Sequence, residues 1–348
     1  MNRIIPPRIK AGDEIRIVAP SLAFSFLEDD IIQRAKEKLE AMGFVVSFSS
    51  LCHPNMDRAK TDSSYYRAKD LEEAFLDKNV KGILTALGGF DCHTILEHLD
   101  FSIIENNPKV LCGHSDITSL QNAILEKTGL ITYSGPHFST FGVNNVVDIK
   151  YTEEAFLHAV TTNGWHQWKE AKQWGSYDGQ EDSNTTMCQD IYNNEGMVVV
   201  CKGNRIREEN SHSEAFEGRV IGGNLRTLMN IATTSYMPSM EDSILFIEDD
   251  NLSGGDFVRE FFMNLQGLMN IDGFSKLKGI VIGRSKDQSL RNHLHLLGKF
   301  FEGNPLFSHM VLLYGADFGH TSPMGTFPIG GDCRVEIVDN QAKLWVKC

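Results

Sequence analysis

The sequence predicts an α/β protein of two domains. Three observations carry this reading. The chain has 348 residues, more than one compact core usually takes. Its first part alternates short apolar runs with amphipathic stretches, the signature of a parallel sheet with helices on both faces. A similar alternation resumes after a segment, residues 164–196, in which no hydrophobic period survives. We therefore expect an N-terminal domain over 1–163 with a mainly parallel sheet flanked by helices. A linker or loop over 164–196 follows. Residues 197–348 then form a C-terminal α/β domain with a mixed, strand-rich sheet.

The elements follow in order. Glu14 to Ala19 reads as a buried strand stopped by Pro20. Ile31, Ile32, Ala35, Leu39 and Met42 paint one face of a helix over Asp29 to Met42, with Gly43 as its stop. Val45 to Phe48 and Val80 to Leu87 are strands, the latter followed by Gly88 and Gly89. Asp91 to Leu99 is helical, Lys109 to Cys112 a short buried strand, Asp116 to Lys127 a helix, and Leu130 to Tyr133 a strand. Residues 164–196 hold Trp165, Trp168 and Trp174 among Gly, Asn, Asp, Ser and Gln, and read as a long connection. Met197 to Cys201 is a strand and 202–214 an exposed loop. Next come strand Gly218 to Ile221, helix Asn224 to Ala232, strand Ser243 to Ile247, helix Asp256 to Leu268, strand Gly279 to Ile282 and helix Leu290 to Phe301. Cys333 to Val338 and Ala342 to Val346 close the chain as a hairpin about Asp339, Asn340 and Gln341.

Composition narrows the function classes. With 46 acidic and 33 basic residues the net charge is −13. That argues against binding nucleic acid through a broad basic face, while leaving room for a small nucleotide-like ligand in a pocket. The seven cysteines are dispersed and form no CxxC pair, so they read as reduced thiols. Met1 to Glu14 lacks the apolar core of a signal peptide, and no stretch is apolar for long enough to span a membrane. A cytoplasmic location and no membrane partner are the expectation. His293 and His295, spaced i, i+2, point to different helix faces, and neither HExxH nor a glycine-rich phosphate loop occurs. No metal and no cofactor are expected.

Five places could carry chemistry. Gly113-His114-Ser115-Asp116 lies where a buried strand meets a helix. A serine there can project above the sheet edge, with free helix N-terminal N–H groups for an oxyanion. The position two after the serine is Ile117 rather than glycine, and Ser115 or Asp116 as a plain helix cap is the competing reading. Gly88-Gly89 ends a strand and could lend a second oxyanion N–H, or simply turn the chain. Glu248 ends the apolar strand ILFIE and could orient a histidine, or belong to an acidic surface with Asp249 and Asp250. His320, in DFGHTSP, has the most site-like surroundings of the twelve histidines. Asn224, after Gly222-Gly223, caps a helix or hydrogen-bonds a substrate.

Six segments together resemble one family. They are PRIKAGDEIRIVAPS from Pro7, YRAKDLEEAFLDKNVKGILTALGG from Tyr66, LCGHSDITSLQNAILEKTGLITYSGP from Leu111, GRVIGGNLRTL from Gly218, ILFIEDD from Ile244 and FGHTSPMGTFPIG from Phe318. In this order they resemble the LD-carboxypeptidase family of serine peptidases, which includes the microcin C self-immunity proteins. The resemblance covers nearly the whole chain. It implies a catalytic triad of Ser115, Glu248 and His320 meeting at the domain interface. It also implies oxyanion N–H groups from Gly89 and Asp116, a substrate contact from Asn224, and a homodimer. Two amide substrates fit: an aminoacyl group joined to a nucleotide or sulfamoyl-nucleoside, or a muramoyl-tetrapeptide in cell-wall recycling. The length near the tryptophans favours the immunity-like subgroup, with Trp174 stacking on a nucleobase. The region after Glu248 lacks a basic residue that some immunity-type members use toward an acidic acyl group. A non-catalytic peptide- or nucleotide-binding module is the reading from another class.

Overall fold

The computed structural model describes residues 2–53, 56–144, 147–177, 188–202, 213–250, 256–286, 288–338 and 341–347. Two large sheets organise it. The first runs in the order Phe327–Ile329, Thr132–Ser134, Val110–Gly113, Val80–Thr85, Glu14–Val18, Val45–Phe48. The pairs from Thr132–Ser134 to Val45–Phe48 are parallel, as the alternation of strand and helix requires. The edge strand Phe327–Ile329 is antiparallel and comes from the far end of the chain.

The second sheet is mixed. Its order is Asp332–Val338, Ser213–Asn224, Ser243–Glu248, Gly279–Gly283, Val311–Ala316, Val198–Cys201, Gln341–Lys347, His166–Gln167. The run from Ser213–Asn224 to Val311–Ala316 is parallel and the remaining pairs are antiparallel. The closing hairpin also pairs Asp332–Val338 with Gln341–Lys347, which turns the sheet into a barrel-like arrangement.

The helix Ile117–Thr128 lies at the centre and is buried on nearly every side. An apolar cluster runs from Ile83 and Leu111 of the first sheet through Leu120 and Ile124 to Val220 and Phe246 of the second. Side chains alternate across a strand, so Leu84 and Val110 join the cluster on the other face with Phe138 and Phe156.

Several elements differ from expectation. Residues 164–196 are not without regular structure: strand His166–Gln167 extends the second sheet, and Gln173–Tyr177 pairs with Cys188–Asn193. The apolar periodicity is missing because short ribbons are held by main-chain bonds rather than by one buried face. The stretch expected as a helix from Asn224 is helical only over Leu225–Met229. The helix expected over Leu290 to Phe301 is two pieces, Ser289–Asn292 and Leu294–Gly303, broken at His293. Asp91 to Leu99 is a 3-10 segment over Cys92–His98. Most of the loop expected over 202–214, and Asp339 and Asn340 of the hairpin turn, lie outside the described residues.

Candidate active site

Ser115 sits between the strand Val110–Gly113 and the central helix, with φ of 56°. A side-chain-bearing residue in the left-handed region is strained. The reversal it makes lifts Oγ clear of both elements, as a nucleophile elbow does. Neighbouring backbone is satisfied around it: Ile117 N–H donates to His114 O at 3.1 Å and Thr118 N–H to Ser115 O at 3.0 Å.

Glu248 ends the strand Ser243–Glu248 of the second sheet and pairs in register with Asn224. It is 4% exposed. One carboxylate oxygen accepts from Asn224 Nδ2 at 3.2 Å. The other lies 2.7 Å from His320 Nδ1. A carboxylate only accepts, so Nδ1 carries the proton and donates. Nε2 then presents its lone pair to Ser115 Oγ at 3.0 Å. Gly319 makes this approach possible: its φ is 112°, and a Cβ there would lie 3.1 Å from Glu248 Cβ.

Asn224 takes part twice. Its Oδ1 accepts the N–H of Thr227, capping the helix, while its Nδ2 holds Glu248. Its own N–H donates to Thr118 Oγ1 at 2.8 Å. Asn122, one turn further along the central helix, accepts from Gly222 N–H at 3.1 Å and donates to Gly222 O at 2.8 Å. The helix that starts beside Ser115 is thus stitched to the strand end that holds Glu248. Residues i and i+4 of a helix share a face, so Thr118 and Asn122 were legible as a polar pair on one face of this helix. Sequence reasoning overlooked them.

Gly88 lies against the serine: a Cβ there would stand 3.1 Å from Ser115 Cβ. Gly89 follows with φ of 155°, where a Cβ would strike Ser21 Oγ. This segment is pinned. Gly88 O accepts from Leu22 N–H at 3.2 Å. Buried Arg67 donates to Ser21 O and grips Asp91 with two bonds of 2.8 and 2.9 Å. Asp116 is fully buried, and its carboxylate accepts from Ser21 Oγ and from Cys92 N–H. Burial raises its pKa from its ordinary value, against those bonds. The backbone N–H groups of Gly89 and Asp116 have no acceptor among the described residues.

The electrostatics favour a histidine that can hold a proton. Burial pushes His320 down, but the charge and hydrogen bond of Glu248, aided by Asp250, raise it above its ordinary value. Two further histidines stay neutral. The His114 ring is 4.1 Å from that of His137 and 5.4 Å from that of His320. Burial, then the nearby His320, lowers His114 to about 3, and burial lowers His137 well below its ordinary value. Asp249 is pushed up to about 7 by burial and then by the charge of Glu248.

Trp174 is packed among protein groups. It is 4% exposed, its ring 4.7 Å from that of Tyr192, with the Arg284 guanidinium 5.3 Å away. Its strand is bonded through Gly175 to Ser322, beside the His320 loop. Among the described residues no group of three His, Cys, Asp or Glu side chains could hold a metal ion, and no helix is long and apolar enough to cross a membrane.

Residues 15–135 match the N-terminal domain of LD-carboxypeptidases, and residues 217–335 match the C-terminal domain. The chain belongs to the LD-carboxypeptidase family. The enzyme class follows, a serine-type carboxypeptidase. This carboxypeptidase is 38% identical to YocD of Bacillus subtilis (strain 168), over 97% of this chain and 98% of that one. It is 29% identical to the microcin C7 self-immunity protein MccF of Escherichia coli, over 96% and 93%. A crystal structure of an MccF-like protein from Bacillus anthracis str. Ames superposes on it with a TM-score of 0.87, at 37% identity over 99% of both chains. MccF itself has been solved with aspartyl sulfamoyl adenosine and with glutamyl sulfamoyl guanosine; each matches with a TM-score of 0.79 at 25% identity, over 99% of this chain and 98% of that one.

Proposed function

We propose that this carboxypeptidase cleaves the amide between an aminoacyl group and a nucleotide or sulfamoyl-nucleoside, with Ser115, His320 and Glu248 as a triad. The observation that carries the triad is the unbroken bond chain from Glu248 through both nitrogens of His320 to Ser115 Oγ. These residues are 72 and 205 positions apart in sequence, so their alignment is not a by-product of one local element. The nucleoside part of the reading is supported by likeness to MccF and its sulfamoyl-nucleoside complexes.

The chemistry follows from the tautomer. Nε2 accepts the Oγ proton as Oγ bonds to the amide carbon. Negative charge moves to the carbonyl oxygen, where the N–H groups of Gly89 and Asp116 receive it. Glu248 holds the imidazolium. The proton passes from Nε2 to the leaving nitrogen as the C–N bond breaks. Water, deprotonated by the same nitrogen, then frees the acyl group and restores Ser115. Asn224 acts here through Glu248 as a positioning residue.

The test is hydrolysis of a panel of aminoacyl sulfamoyl adenosines and of a muramoyl-tetrapeptide, read by mass spectrometry, in wild type and Ser115→Ala. Cleavage of the nucleoside panel that falls by roughly 10⁵- to 10⁶-fold in the variant is the expected result. Cleavage of the tetrapeptide alone moves the enzyme to cell-wall chemistry, and full activity in Ser115→Ala removes the mechanism.

A further inference from the structure

Asp250 lies two residues past Glu248, beside the His320 ring. Its Oδ2 lies 3.9 Å from His320 Nε2, the nitrogen that faces Ser115 Oγ at 3.0 Å. The side chain is 10% exposed, so this carboxylate is held inside the fold rather than on an acidic surface. Its backbone is fixed, with its N–H donating to Asp249 Oδ1 at 3.0 Å.

Among the described residues its charge is only partly compensated. Arg226 is a nearby cation, and it is shared. It reaches Glu260 at 3.1 Å, but Asp249 and Asp250 only at 3.8 and 3.9 Å. Lys286 also acts on His320, with the opposite sign and a smaller effect than Asp250. A buried carboxylate with incomplete compensation is costly unless a cation completes it.

We propose that Asp250 is a specificity-determining residue that binds a free α-ammonium group next to the scissile carbonyl. This rests on the reading of Ser115 and His320 given above. An α-nitrogen lies about 2.5 Å from its own carbonyl carbon, given the bond lengths and angle at Cα. In the proposed pose, with that carbon bonded to Oγ, the ammonium sits on the side of Nε2 where Asp250 stands. An acyl centre whose α-nitrogen is acylated, as inside a peptide, brings no charge there. A carboxylate-bearing acyl side chain would meet Asp250 as a like charge. The geometry therefore selects aminoacyl conjugates with a free amino terminus over peptides.

The experiment compares alanyl sulfamoyl adenosine with propionyl sulfamoyl adenosine, which lacks only the amine. Both are assayed at pH 6.5, below the usual α-amino pKa, with wild type and Asp250→Asn. Comparing the ratio between the two enzymes cancels the amine's intrinsic effect on the carbonyl. The wild-type preference for alanyl over propionyl, as kcat/KM, should fall by about 10- to 100-fold in Asp250→Asn, as expected for a lost charge-assisted bond. An equal fall for both substrates, or an unchanged ratio, overturns the proposal and leaves Asp250 acting on His320 alone. So does cleavage of a muramoyl-tetrapeptide with none of the alanyl conjugate. Labelling of Ser115 by a fluorophosphonate separates the two levels. Absence of labelling in wild type would sink the triad itself. Labelling with an unchanged ratio sinks only the role of Asp250.

Discussion

At Ser115, His320 and Glu248 the assignment of protons follows from what each atom can do. Glu248 accepts two hydrogen bonds and donates none, so the His320 tautomer is decided at Nδ1. Glu248→Gln keeps the size but lets Nδ1 lose its proton, and kcat should fall roughly 10⁴-fold. The pH profile tests the same pair. A base must be neutral, so kcat/KM falls as pH drops through the pKa of His320. That pKa is raised above 6.5, which puts the acid limb above 6.5 in wild type. Glu248→Gln removes the partner that raises it, and the limb should move to lower pH. The sign for stability is the reverse of that for activity. A histidine raised on folding contributes stability that is fully present below about 6.5 and is lost as pH rises through the folded value. The residues proposed as the triad stand out in the sequence because each ends or follows an apolar run. The roles of Thr118 and Asn122 do not, since their partners lie about 100 residues away.

At the scale of elements, the central helix joins the two halves of the site. Its N-terminal end presents Ser115, and one turn of its face grips Gly222 and Asn224. Asn122 is fully buried, with two bonds to one glycine. Asn122→Ala leaves a buried N–H and a buried carbonyl without partners, and should cost about 2–4 kcal/mol in urea unfolding. It should also lower kcat more than it raises KM, because Glu248 would lose its register with Ser115 rather than any contact with substrate. Helices and strands with a clear apolar period were readable in advance. The strands His166–Gln167 and Gln173–Tyr177 were not, because part of their order comes from pairing with distant chain: Trp168 N–H donates to Leu344 O at 2.8 Å and Gly175 exchanges bonds with Ser322. No local pattern encodes such a partner.

At the scale of the whole molecule, distant segments close on the loop that bears His320. Asp317 is 1% exposed and pairs with buried Arg284. It also accepts from Ala171 N–H at 3.0 Å and from Tyr151 Oη at 3.3 Å. It therefore ties the helix Ile149–Thr161 and the segment after it to the strand end three residues before His320. Asp317→Ala leaves a buried guanidinium unpaired and should cost about 3–5 kcal/mol, measured as a lower urea midpoint at unchanged slope. Activity on the remaining folded protein should fall as well, since the His320 loop loses its anchor. An unchanged midpoint would mean that solvent reaches Arg284.

What the sequence determined by itself was the alphabet of the site: a serine between strand and helix, a glutamate at a strand end and a histidine in a glycine-bearing loop. It also carried the α/β class, because apolar periodicity is a local property that burial later exploits. Only the tertiary structure decided that Asn224 holds Glu248, that Trp174 is packed among protein groups, and that Asp250 stands 3.9 Å from His320 Nε2. Each of those depends on where a strand of one sheet ends relative to a helix or loop from elsewhere in the chain. Such distances are set by the packing of the whole core, which no local stretch of residues records.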